Sequence, residues 1–321
     1  MSYLLETNTD NSKVIHLNSK DADLLYQEGH TTYCSFVLKN PISIQKEHSA
    51  LISLTSCIVP YSFYNISANK NNRIVFRLTA SGNENSILLP DGNYTITTLA
   101  TYIKNALNKA LPGPNPFPWT AALNGTYAIS FDRTTMKYTF TSTVQEVQMK
   151  FELADTAFVE LGFNRNTTTS VIGSTGIVSE NVCDVNGSVH SLFVRTNLTS
   201  KASIDSQTKS FSTILGKIPI QTNFGGILFF NPRDNIHKIL LDTHLINEIT
   251  IRLTDEENRL INLNGLHFNL SILIDIVNKK RYEPNEIRRM KELHIEKIEQ
   301  ERDKKPENRG RPRKPGRPKG S

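Results

Sequence analysis

The chain has 321 residues, 38% hydrophobic and 21% charged, with 37 Lys+Arg against 31 Asp+Glu. That length holds one large core or two modest ones, and the hydrophobic share excludes a wholly disordered chain. Residues 278–321 hold sixteen basic and eight acidic side chains, leaving 21 against 23 in residues 1–277, so a near-neutral body with a basic end argues against a nucleic-acid binder that uses its whole surface.

Residues 1–30 read as a polar N-terminal arm, and 31–277 as a β-sandwich body. Short runs of alternating or β-branched residues, each closed by Asn, Gly, Pro or Asp, predict strands at Val14–Leu17, Tyr33–Leu38, Ala50–Val59, Arg73–Leu78, Ser86–Leu89, Tyr127–Asp132, Tyr138–Ser142 and Val147–Leu153. Between them Leu99, Tyr102, Ile103, Ala106, Leu107 and Leu111 recur at helical spacing after Thr97-Thr98. This predicts one helix over about 98–111, stopped by Pro112-Gly113-Pro114-Asn115-Pro116. Trp119 follows in a Pro-rich stretch, as an exposed recognition element or as a cover for one end of the sandwich. A shorter helical piece is expected at Asp155–Leu161, ended by Gly162.

A second series of strands is expected at Ser191–Thr196, Ile214–Ile220, Gly226–Phe230, Lys238–Asp242, Ile246–Leu253 and Phe268–Val277. The stretch Ile246–Val277, with turn residues at Thr254–Asn258 and Asn264-Gly265, reads as a terminal β-meander. The fold class is therefore all-β: a jelly-roll-type antiparallel sandwich in which roughly 73–180 forms an inserted, helix-containing segment. Two packed sandwiches remain an alternative, because alternation does not reveal which edges pair.

From Asn278 the composition changes. Residues 278–305 read as a charged amphipathic helix with a thin apolar stripe, Ile287, Met290, Leu293, Ile295 and Ile298, and Pro284 stands at a natural helix start. Residues 306–321 form a basic tail expected to be disordered. Its sequence runs Arg309-Gly310-Arg311-Pro312-Arg313-Lys314-Pro315-Gly316-Arg317-Pro318-Lys319. This resembles the AT-hook family, whose core is Arg-Gly-Arg-Pro, and Gly316-Arg317-Pro318-Lys319 resembles a second copy without its first Arg. Glycine lets a backbone lie close to a groove floor, and proline keeps it extended. The narrow minor groove of A·T tracts attracts inserted Arg. The resemblance implies that Arg311 and Arg317 enter the groove while Arg313, Lys314 and Lys319 contact phosphates. The bland alternative is a localisation or solubilising segment.

No catalytic set stands out. The eight histidines, His16, His30, His48, His190, His237, His244, His267 and His294, form no i, i+4 pair and read as ordinary surface or core residues. Cys34, Cys57 and Cys183 are odd in number and far apart, so neither a disulfide framework nor a zinc site is expected. Asp91-Gly92-Asn93 and Thr254–Asn258 read as turns, since neither has calcium-loop spacing. The chain is expected to be non-enzymatic, with no metal or cofactor. Its first residues lack a basic-then-apolar leader and no run reaches the roughly 20 apolar residues of a membrane span, so a soluble protein made in a reducing compartment is expected.

Three stretches in order carry a further resemblance: Ala50-Leu51-Ile52-Ser53-Leu54 with Ile58-Val59-Pro60-Tyr61-Ser62-Phe63-Tyr64-Asn65-Ile66; Leu89-Pro90-Asp91-Gly92-Asn93-Tyr94-Thr95; and Ile251-Arg252-Leu253-Thr254-Asp255-Glu256 with Leu263-Asn264-Gly265-Leu266-His267-Phe268. With Gly216-Lys217-Ile218-Pro219-Ile220, they resemble the minor capsid or penton-like proteins of large DNA viruses, polinton-like viruses and virophages, over roughly residues 14–277. The resemblance implies a jelly roll, self-association as a homo-oligomer, a major capsid protein or other shell component as partner, and a place in the virion after synthesis in host cytoplasm or nucleus. The tail adds double-stranded DNA as a partner. Two other classes stand beside this reading: a chromatin-type DNA-binding regulator and a viral surface attachment protein.

Overall fold

The computed structural model describes residues 3–6, 12–78, 84–108, 127–143, 147–165, 170–172, 176–186, 189–198, 203–205, 209–232, 237–241 and 243–281. The chain opens with β1 (Tyr3–Glu6), β2 (Ser12–Asn18), β3 (Leu24–Gln27), β4 (His30–Ser43) and β5 (His48–Pro60). It then leaves the sandwich for β6 (Arg73–Leu78), β7 (Glu84–Leu88), α1 (Ile96–Leu107), β8 (Tyr127–Asp132), β9 (Lys137–Ser142), β10 (Val147–Lys150), α2 (Phe158–Leu161), β11 (Ser170–Ile172) and β12 (Ile177–Val178). It returns as β13 (Ser191–Thr196), β14 (Ser203–Asp205), β15 (Ser210–Ser212), β16 (Ile214–Pro219), β17 (Ile227–Phe230), β18 (Ile239–Leu240), β19 (Leu245–Thr254) and β20 (Asn269–Arg281).

Two antiparallel sheets face each other. One runs β2–β20–β5–β17, with β1 also pairing β20 and β18 also pairing β5; the other runs β3–β4–β19–β13–β16. Taken in chain order, β2, β4, β5, β13, β16, β17, β19 and β20 form one rolled-up ribbon: first pairs with last, β2 with β20, then β4 with β19, β5 with β17, and β13 with β16. That wrapping is a jelly roll. Its core is aliphatic because alternate residues of each strand point inward: Ile52 from β5, Leu192 and Val194 from β13, Ile249, Ile251 and Leu253 from β19, and Ile272 and Ile274 from β20 are all fully buried. Burying each such side chain stabilises by roughly 1.5–3 kcal/mol.

Residues 66–185, between β5 and β13, build a second core that shares no residue with the first. Its bulkiest buried side chains are aromatic, Phe76, Tyr138, Phe140, Phe151 and Phe163, under α1 and two small sheets, β11–β10–β6–β7 and β12–β9–β8. Phe151 and Phe163 stack with centroids 4.8 Å apart.

The helix begins earlier than the spacing predicts. Thr95 and Thr98 cap each other, the Thr98 hydroxyl accepting from Thr95 N at 2.8 Å and Thr95 Oγ1 accepting from Thr98 N at 3.2 Å. This moves the cap off Thr97-Thr98. The helix ends at Leu107, where the Asn108 side chain pairs with the backbone of Tyr127 through two bonds of 2.8 and 3.0 Å. The expected Leu111, the Pro-rich turn and Trp119 lie outside the described residues, as do residues 282–305 of the expected charged helix and the tail after it; Asn278–Arg281, expected to open that helix, instead continue β20, paired with β1. The short helix is confined to Phe158–Leu161 and stops at Gly162, where φ is +75° and an added Cβ would sit 2.4 Å from Asn181 O.

The terminal meander is not present. β19 and β20 lie in opposite sheets, and between them the expected strand Leu260–Leu263 reduces to one bridge, Leu260 to Thr254. Asn264 and Gly265, at φ +52° and +82°, make a loop that carries the chain across the sandwich. Alternation marks both runs as strands, but it says nothing about the sheet to which each belongs.

Candidate assembly surfaces

Among the described residues, no three His, Cys, Asp or Glu side chains converge on a point. The three cysteines are buried and free, and burial pushes the Cys34 and Cys57 thiols up to about 12, away from nucleophilic thiolate. Several histidines make local hydrogen bonds, His16 to Ser271 at 2.8 Å and His267 to Ser19 at 3.1 Å. Asp255 is used by its own turn: Oδ1 accepts from Glu257 N and Arg259 N, each at 2.9 Å, and Oδ2 meets Arg259 Nε at 2.8 Å. Asp91 likewise accepts from Ala68 N at 2.6 Å. No helix of the described residues is long and apolar enough to cross a membrane.

Three features remain. The first is the junction between the two cores. Lys70 of the insertion reaches Asp255, in the loop between β19 and β20, at 3.9 Å; Ser62 Oγ donates to Leu263 O at 2.7 Å, and Asn264 Nδ2 donates to Ser62 O at 2.6 Å. Beside Lys70 lies Glu160, 2% exposed. One of its oxygens accepts from Asn71, and the other has no hydrogen-bond partner among the described residues. Burial pushes this carboxyl up to about 7, against the opposing pull of the Asn71 hydrogen bond and the Lys70 ammonium.

The second is the β14–β15 hairpin, which the strand pattern of the sequence does not reveal. It rests on Arg195 of β13, whose Nη2 donates to Asp205 at 3.0 Å, Nη1 to Ser212 at 2.9 Å and Nε to Thr254 at 3.0 Å. Both charges are buried. A buried guanidinium with all three nitrogens engaged fixes the hairpin in one orientation. The opposite face then turns the cross-strand pair Ile204 and Phe211 outward, 71% and 63% exposed.

The third is the free edge of the first sheet. In β17, Leu228 enters the core, so the alternation puts Ile227 and Phe229 on the outer face, each 65% exposed. Phe229 pairs with the exposed Ile58 of β5, and Ile227 with Pro60. Phe224 and Tyr64 extend the patch, with rings 6.2 Å apart. No charged residue occurs from 218 to 232. The DNA-contacting set expected at Arg309, Gly310, Arg311, Pro312, Arg313, Lys314, Gly316, Arg317, Pro318 and Lys319 lies outside the described residues.

The strand order thus defines the class: an antiparallel jelly roll carrying a large insertion between its third and fourth strands. No family model matches the chain, and no curated protein matches it. Among solved structures it is similar to the mavirus penton protein, whose selenomethionine-labelled crystal structure aligns over 83% of this chain and 99% of that one, at 9% identity and a TM-score of 0.45.

Proposed function

We propose that this chain is a virion structural protein of the minor-capsid or penton-like kind. Its jelly-roll body assembles with copies of itself and with a major capsid protein or another shell component, and its C-terminal tail holds packaged double-stranded DNA by shape and charge. The observation that carries the reading is a jelly roll that turns large apolar side chains outward from fixed β elements, at β17 and at the β14–β15 hairpin. Contiguous apolar surface of this kind marks interaction sites, and double-sheet jelly rolls recur in viral capsid domains. The order Arg309-Gly310-Arg311-Pro312, followed by Gly316-Arg317-Pro318, supports the DNA contact. No cofactor enters the reading.

The body is tested by measuring the mass of the full-length protein with and without a shell protein. Oligomers or a stable complex are expected; a strict monomer that binds no shell protein overturns the capsid reading. The tail is tested by salt titration of binding to A·T-rich and G·C-rich duplexes. One tail should bind in the micromolar range or weaker. Arg311→Ala with Arg317→Ala should remove the A·T preference, while Lys314→Ala with Lys319→Ala should weaken all duplexes alike. Equal affinity for both duplexes overturns the minor-groove contact and leaves the body untouched.

A further inference from the structure

We propose that the β17 edge is the seat of a second copy of this chain, joined by antiparallel pairing of β17 with itself across a two-fold axis at Leu228. The proposal deepens the self-association reading by naming the surface and register. Among the described residues β17 ends its sheet, so one side of Ile227–Phe230 pairs with no described strand. Soluble proteins guard such edges with charge or proline. The edge strand β16 carries Lys217 and Pro219, and β3 lies between Asp23 and Glu28, whereas β17 has no charge in the fifteen residues 218–232.

The chain's own C-terminal segment is a poor occupant. The last described residue of β20 is Arg281, and the row holding Ile58 and Phe229 is reached at Asn269. At about 3.3 Å per residue, that row is about 40 Å back along the strand. A helix over residues 283–303 would span about 30 Å, so its apolar residues, Ile287 to Ile298, stop short. Residues 304–321 contain no large apolar side chain.

A second copy fits by parity. Directly opposed residues in an antiparallel pair share a face, so Leu228 can stay on the core side in both copies when Leu228 meets Leu228. That register sets Ile227 against the second copy's Phe229, twice, an aromatic and β-branched pairing that strands favour. In that register the two most exposed side chains of the strand, Ile227 and Phe229, each 65% exposed, pack against each other across the two-fold, while Ile58 lies one strand further back on β5.

Disulfide trapping in the full-length chain tests the register, because directly opposed Cα atoms lie about 4.5–5.5 Å apart, within the range that a disulfide bridges. The double variant Ile227→Cys, Phe229→Cys should oxidise to a covalent dimer, and either single variant at least tenfold less, since each then faces a non-cysteine. The native cysteines stay silent because they are buried. Phe229→Lys should raise the dissociation constant at least tenfold with an unchanged melting temperature; if it fails to fold, Ile227→Lys serves the same purpose. Single variants that cross-link as well as the double, or dimers that appear only with another shell protein present, overturn the proposal. An oligomer unmoved by Phe229→Lys overturns this edge while self-association stands, and a monomeric wild type overturns both.

Discussion

The sandwich and the insertion bury comparable side chains by different routes. In the sandwich, partners come from opposite ends of the chain: Ile15 lies beside Ile272, and Cys34 beside Ile251. In the insertion, partners are nearer in sequence, Phe76 beside Met149 and Phe131 beside Tyr138. The sandwich holds its buried arginine in a complete set of hydrogen bonds, while the insertion leaves one oxygen of buried Glu160 without a partner among the described residues. The difference teaches where a fold tolerates imperfection. Loop-closure entropy grows only slowly with length, so a jelly roll accepts a long insertion between two strands at small further cost, provided the insertion builds its own core. The two cores should then respond separately to change.

The largest test of that separation is Phe151→Ala, expected to cost about 3–5 kcal/mol by opening a cavity in the aromatic core. Proteolysis should then cut within residues 61–190 while β2, β5 and β20 stay protected; a single cooperative loss of the whole body would show that the cores are one unit. Asp205→Ala should cost roughly 3 kcal/mol, because it strands a buried guanidinium, whereas Arg195→Met with Asp205→Leu should be much milder. Denaturant melts of the three proteins check this.

The pH response should differ in the same way. The Glu160 carboxyl, at about 7 in the fold, exceeds its usual 4.5, so the protonated form favours the folded insertion. That contribution is complete below about pH 4.5 and is lost as pH rises through 7, with an upper bound on the order of 3 kcal/mol. The insertion should therefore melt lower at pH 8 than at pH 5, and Glu160→Gln should flatten the difference. Equal slopes for wild type and variant would remove Glu160 as the cause.

The smallest effect is a reporter. Burial raises the thiols of Cys57 in the sandwich and Cys183 in the insertion, so neither should be alkylated in the native protein. Under mild denaturant Cys183 should react first; simultaneous labelling would contradict independent cores.

Alternation alone located most sandwich strands, because a half-buried strand writes its geometry into every second residue: Ile249, Ile251 and Leu253 are buried as their spacing requires. The β14–β15 hairpin was not legible. Its strands have three residues each, too few for a period, and what seats it is Arg195, a residue whose type predicts exposure. The apolar edge was half legible. Gly226–Phe230 reads as a strand, but four apolar residues in a row do not reveal which two face solvent.

By itself, the sequence determined the β class, the position of α1 to within two or three residues at its start, and the concentration of positive charge after Asn278. These are local properties, set by side-chain period, capping chemistry and composition. Tertiary structure alone decided that β19 and β20 belong to opposite sheets, that Arg195 meets Asp205, and that β17 ends its sheet with Ile227 and Phe229 turned outward. Those outcomes depend on which strands pair, and pairing is a competition among backbone edges that all offer the same hydrogen bonds. It is resolved by how the whole set of apolar faces closes into one core.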